Sequence, residues 1–259
     1  MDFFCPSKES YIEPRDLLER TLQNRKMKVD DLKLRETVIF SFIPEITRSL
    51  NKQLGVIEAD GFPLLREKFY NPPSPHYPFS IFGSAVGAPY AVMLMEQLIV
   101  LGAKRFYFIG FCGGIGQEVK IGDLVIPTEV IREEGTSYHY FPGHVKVEGD
   151  AQMAEQVQKI TAQFGRKAIT GPLWTTDALY RETMAKIERF REMGVLGVDM
   201  ETSAVYAIAK YRQVKAVALH VVSDIVGREK WQTSFGWKAL IDSSKIACNI
   251  LVKACQEAD

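Results

Sequence analysis

Cysteine is scarce in this chain and is not arranged to bind anything. The four present, Cys5, Cys112, Cys248 and Cys255, form no CxxC pair and show no metal-ligand spacing. This excludes a disulfide framework and a thiolate metal centre, and it fits a reducing, cytoplasmic compartment. Charge of one sign is missing too: 32 basic and 32 acidic residues cancel, and no long like-charge run occurs. A surface for nucleic acid or anionic lipid is thereby excluded, which leaves a small solute as the expected ligand. The most apolar stretch, PYAVMLMEQLIVLG, is broken by Glu96 and Gln97. It falls short of the ~20 residues a bilayer requires and reads as a core helix. The start, MDFFCPSKES, has no basic region followed by an apolar run and does not read as a signal peptide. Four scattered histidines give no metal site; His139 and His144 share a polar loop, and His220 lies in an apolar strand as a core residue.

What is present is enough apolar material, 46% of 259 residues, for one large core. A single domain over 1–259 is expected, with residues 1–35 as an N-terminal helical extension ending in a polar connector. ETVIFSFI reads as a buried strand, followed by a helix that Pro44 opens and Gly55 closes. NPPSPHYP is an extended loop, FSIFGSAVG a strand, and 88–101 the core helix. Strand 104–110 then runs into a glycine turn. Later segments read as a strand beginning DLVIP, a helix capped by Asp150, a short strand reaching Asp199, a helix from about Glu201 to Tyr211, and strand 214–222 ending in Ser223 and Asp224. Alternating strands and helices predict a three-layer α/β/α sandwich around a central mixed sheet.

Two acids fall where strands end. Glu201 sits where a strand turns into a helix and Asp224 follows the run AVALHVVS, so each is delivered to a sheet edge, where ligands of open α/β folds collect. Each also has a structural alternative: a helix first-turn acid for Glu201, a turn or cap for Asp224. Together they suit cleavage of a glycosidic bond, one carboxylate holding sugar hydroxyls and the other protonating the leaving group. The glycines of GFCGGIG lack the GxGxxG spacing and precede a turn and strand, which excludes a dinucleotide fingerprint.

Five segments in order, SAVGAPYAVMLMEQLIVLGAKRFYFIGFCGGIGQEVKIGDLVIP, IREEGTSYHYFP, GPLWTTDALYRET, VLGVDMETSAVYAIA and VVSD, resemble the nucleoside phosphorylase superfamily of purine and uridine phosphorylases and related nucleoside hydrolases. The resemblance covers roughly residues 80–226. It implies that Met200 packs on a ribose whose hydroxyls bond to Glu201, that Trp174 lies against the nucleobase, and that Asp224, with Ser223 beside it, faces N7 of a departing purine. Gly110, Gly113 and Gly114 would let the backbone approach the substrate. The implied activity is cleavage of a nucleoside, purine rather than pyrimidine, to base and pentose 1-phosphate, as in purine salvage. It uses no cofactor and takes phosphate as co-substrate, in a homo-oligomer of two to six copies.

The sequence departs from that family at the anion site. VIFSFIPEI offers no glycine-and-arginine turn, and Phe108 and Phe111 occupy the positions of an arginine and a hydroxyl. A phosphate dianion lined by phenyl rings would be nearly unpaired. The readings left open are a phosphorylase with cations from elsewhere (Arg48, Arg66, Arg132 or a neighbouring subunit), a hydrolase using water, a non-catalytic nucleoside-binding protein, and a uridine phosphorylase. Glu45, near where hydrolases of the family carry a water-activating base, reads as an exposed helix-start acid.

Overall fold

A computed structural model describes residues 3–7, 9–57, 61–64, 67–83, 85–227, 231–233 and 238–258. In chain order the elements are α1 (Pro14–Gln23), β1 (Thr37–Ser41), α2 (Pro44–Gln53), β2 (Phe62–Leu64), β3 (Glu67–Tyr70), β4 (Phe79–Gly83), α3 (Ala88–Val100) and β5 (Arg105–Gly114). There follow β6 (Leu124–Glu133), α4 (Ala151–Gln163), β7 (Ala168–Thr176), α5 (Met184–Glu192), β8 (Gly197–Asp199), α6 (Thr202–Arg212), β9 (Lys215–Ile225), β10 (Gln232–Thr233) and α7 (Lys238–Gln256).

Three layers follow from the alternation of strand side chains between faces. Val38, Phe40, Phe106, Phe108 and Ala218 join one buried cluster with residues of α1, α3 and α6. Their strand neighbours Ile39, Tyr107, Ile109, Val217 and Leu219 join a second cluster with α2, α4 and α7. The expected sandwich with a mixed sheet is therefore present. Helix α1 is docked rather than free, with Leu18 and Leu22 fully buried in the first cluster.

The sheet runs β10–β9–β6–β7–β8–β5–β1–β4–β3–β2, and β9 also pairs with β5. That extra pairing closes β5, β9, β6, β7 and β8 into a ring. β5 is parallel to β1 and β9 but antiparallel to the short β8. The expected glycine turn after residue 110 is instead continuous strand: β5 extends to Gly114 with an irregularity between Cys112 and Gly113. Crowding explains the glycines. A Cβ at Gly110 would lie 2.9 Å from the Phe42 ring and 3.2 Å from His220 Nδ1, and one at Gly113 would lie 2.8 Å from Val226. The strand expected over 79–87 ends at Gly83.

Candidate active site

Strand β5 lies between the segments that carry the two acids. Gly113 is paired with Val198 of β8 on one side and with Asp224 of β9 on the other, so these two chains are two strand spacings apart, ~10 Å. The expectation that both acids arrive at one carboxyl edge is corrected by the strand directions. β8 runs against β5 and β9, and its end reaches the others because it is only three residues long.

Glu201 directly precedes α6 rather than lying in its first turn, and Asp199 caps the helix. Its Oδ2 accepts the Thr202 N–H at 2.9 Å and the Thr202 hydroxyl at 2.5 Å, and its Oδ1 accepts the Thr175 hydroxyl at 2.6 Å. The Thr202 hydroxyl also meets His220 Nε2 at 2.8 Å, and His220 is fully buried, with burial holding its pKa down. Released from capping, Glu201 turns to α3, where Oε1 accepts the Gly87 N–H at 2.6 Å. Gly87 has φ 89°, a conformation glycine adopts without strain. Burial, then the charge of Asp199, pushes Glu201 up to about 8, so it carries a proton at neutral pH. Met200 is half-buried beside it.

Asp224 is also buried. Oδ1 accepts the Ser223 hydroxyl at 2.6 Å and Oδ2 the indole N–H of Trp231 at 2.7 Å. A further acid stands in its field: burial, with Asp224 and Glu133 adding, raises Glu182 to about 7 despite Lys186. Glu182 was missed from sequence because it lies in a short turn before α5 with no periodic signal, and Asp199 because it reads as the last residue of a strand.

Several expected roles change. Trp174 is fully buried against Phe190, its indole N–H bonded to Glu133 at 2.8 Å, so it is a core ring with no face exposed to a base. Phe108 and Phe111 cannot line one pocket, because three residues along a strand point to opposite faces. Phe108 packs fully buried against Phe40, Phe42 and Phe106, while Phe111 faces an apolar cavity of about 420 Å³ walled by Ile46, Leu240 and Ile241. Of the candidate replacement cations, Arg132 is committed within its own loop: Nε donates to Ser137 Oγ, and the other nitrogens donate to the carbonyls of Phe141, Pro142 and Val145 at 2.7 to 3.0 Å. Arg48 pairs with exposed Glu45 at 2.6 Å. Arg66 lies outside the described residues. Among the described residues there is no cluster of metal-ligating side chains and no helix long and apolar enough to cross a membrane.

A ring-closed mixed sheet between helix layers, with buried acids near where β8 and β9 flank β5, defines a class of mixed α/β fold. The chain belongs to the phosphorylase superfamily, whose sequence family matches residues 63–255. It is similar to a guanosine phosphorylase of Halorubrum lacusprofundi, 26% identical over 153 residues, covering 58% of this chain and 64% of that protein. A DeoD-type purine nucleoside phosphorylase of Bacillus cereus is 29% identical over 147 residues, covering 56% and 63%. The matched stretch thus spans just under two thirds of either relative. In three dimensions the fold is similar to uridine phosphorylase of Vibrio fischeri, with a TM-score of 0.76 at 17% identity, covering 87% of this chain and 94% of that one.

Proposed function

We propose that the chain cleaves the N-glycosidic bond of a purine nucleoside, with phosphate as the attacking group, giving free base and pentose 1-phosphate. The observation that carries the reading is the placement of Glu201 and Asp224 on either side of β5, both buried and both held by directed hydrogen bonds. Glu201 is the ribose anchor: its carboxyl, held by the Gly87 N–H, accepts from a sugar hydroxyl. Met200 packs on the sugar face. A purine leaves poorly as an anion, and protonation by a positioned acid contributes roughly 10²–10⁴-fold. Asp224 is that acid, and Glu182 beside it holds a proton that exchanges near neutrality.

Water as the attacking group is a second reading, favoured by the enclosure of Phe108 and the commitment of Arg132 to loop carbonyls. Incubation with inosine, guanosine, adenosine and uridine, with and without phosphate, separates the readings. Base release only with phosphate supports the first and release without it the second; no release from any nucleoside rejects both in favour of a binding protein. The proposed assembly is a homo-oligomer in the cytoplasm. Exposed Val86, Leu179, Tyr180 and Met184, in the segments beside Gly87 and Glu182, are the surface a second copy would cover.

A further inference from the structure

Trp231 stands where packing alone would not keep it. Its ring is 65% exposed, and among the described residues it stacks on no other ring. A ring this large left mostly in water forgoes most of the apolar gain that tryptophan offers. Its directed contact is the indole N–H, which donates to Asp224 Oδ2 at 2.7 Å.

The backbone around that contact is fixed. β10, which Trp231 directly precedes, returns antiparallel to β9 with Gln232 opposite Ile225 and Thr233 opposite Asp224. Arg191 clamps the chain just past β9 by donating to the Ile115 and Gly227 carbonyls, each at 2.8 Å. The indole thus meets the acid from the neighbouring strand.

The two donors to Asp224 are not equivalent. The Ser223 hydroxyl, at 2.6 Å from Oδ1, can donate or accept and so turns to suit a protonated or an ionised carboxyl, whereas an indole N–H only donates. Bound to different oxygens, the pair also fixes the plane of the carboxyl.

We propose that Trp231 is a positioning residue for the leaving-group acid: its indole N–H aims the Asp224 carboxyl at the departing base and stabilises the charge left on it. This rests on the reading of Asp224 as that acid. In the step concerned an oxygen of the attacking phosphate or water bonds to C1′, the C1′–N9 bond breaks with its electron pair going to the purine, and N7 takes the Asp224 proton. The carboxylate so formed is only 8% exposed, so little water reaches it, and the indole N–H is a donor already in place where charge develops.

The test compares the parent with Trp231→Phe, which keeps a ring and removes the N–H, on inosine and on 7-methylinosine. The methyl on N7 already gives the second base its positive charge, so it departs without an acid. On inosine kcat should fall about tenfold or more with KM within about twofold, while kcat on 7-methylinosine changes by less than about twofold; a merely structural role would slow both. Asp224→Ala is the reference and should likewise slow inosine and spare 7-methylinosine. If Asp224→Ala slows both alike, the acid assignment fails and the role of Trp231 falls with it. If Asp224→Ala discriminates but Trp231→Phe slows both, slows neither or speeds inosine, the role of Trp231 alone is overturned. Proton–nitrogen NMR of the full chain reads the contact without turnover: the indole resonance missing from Trp231→Phe should move in Asp224→Ala, and an unmoved resonance would overturn the assignment whatever the activity.

Discussion

Glu201→Gln should flatten the dependence of stability on pH. In the folded chain Glu201 titrates at about 8, against 4.5 for an exposed glutamate, chiefly through burial and then through Asp199. The folded state therefore keeps a proton that the unfolded state releases. That contribution is fully present below pH ~4.5 and is lost as pH rises through about 8. Inside this window one retained proton corresponds to ~1.4 kcal/mol per pH unit, or ~3 kcal/mol from pH 5.5 to 7.5. For a chain of this size that is a fall in Tm of roughly 6–10 °C. Glutamine is neutral at every pH and keeps an oxygen for the Gly87 N–H, so this part of the slope should vanish. Glu182, raised to about 7, slopes the same way over the same window. His220, held neutral by burial, acts oppositely, its cost growing as pH falls below its ordinary value. Both remain in the variant and cancel in the difference between the two melting profiles. Thermal melts of parent and variant at half-unit steps from pH 5 to 8 measure it, and parallel profiles would refute the protonated, buried state of Glu201.

Asp224→Ala should lower kcat for a purine nucleoside by about 10²-fold or more with little change in binding, whereas Glu201→Ala should damage both; equal small effects would contradict the assigned roles. Arg132→Ala should cost on the order of 3 kcal/mol in a urea titration, because it strands Ser137 and three loop carbonyls. The KM for phosphate should not move in that variant, and a large rise would restore Arg132 as an anion ligand. Gly113→Ala forces a Cβ to 2.8 Å from Val226 and 3.4 Å from Asp224 Oδ2. It should cost ~1–3 kcal/mol and slow turnover by displacing Asp224, and unimpaired turnover would show that this contact does not position the acid.

Elements with strong local chemistry were legible in the sequence. Pro44 opens α2, Asp150 caps α4 by accepting the Met153 N–H, and the β-branched run ending at Asp224 is β9. The β2–β3 hairpin, α5 and α7 were not drawn, and neither was the closure of the sheet. Closure depends on β9 pairing with both β5 and β6, and no local pattern encodes a strand with neighbours in both directions. Glycines read as a turn proved to be strand, because their cause is crowding by Phe42, His220 and Val226 from distant segments. Glu201 and Asp224 could be named from their places at element ends. Their relation across β5, the capping by Asp199 and the proximity of Glu182 are tertiary facts, as is the enclosure of Trp174 by Phe190 and α5.

The most direct measurement is a crystal structure of the Asp224→Asn variant soaked with inosine. The account predicts the ribose hydroxyls within hydrogen-bond distance of the Glu201 carboxylate and N7 of the base facing position 224, one nucleoside bridging the two strand ends. Inosine bound with its sugar away from Glu201 would contradict it.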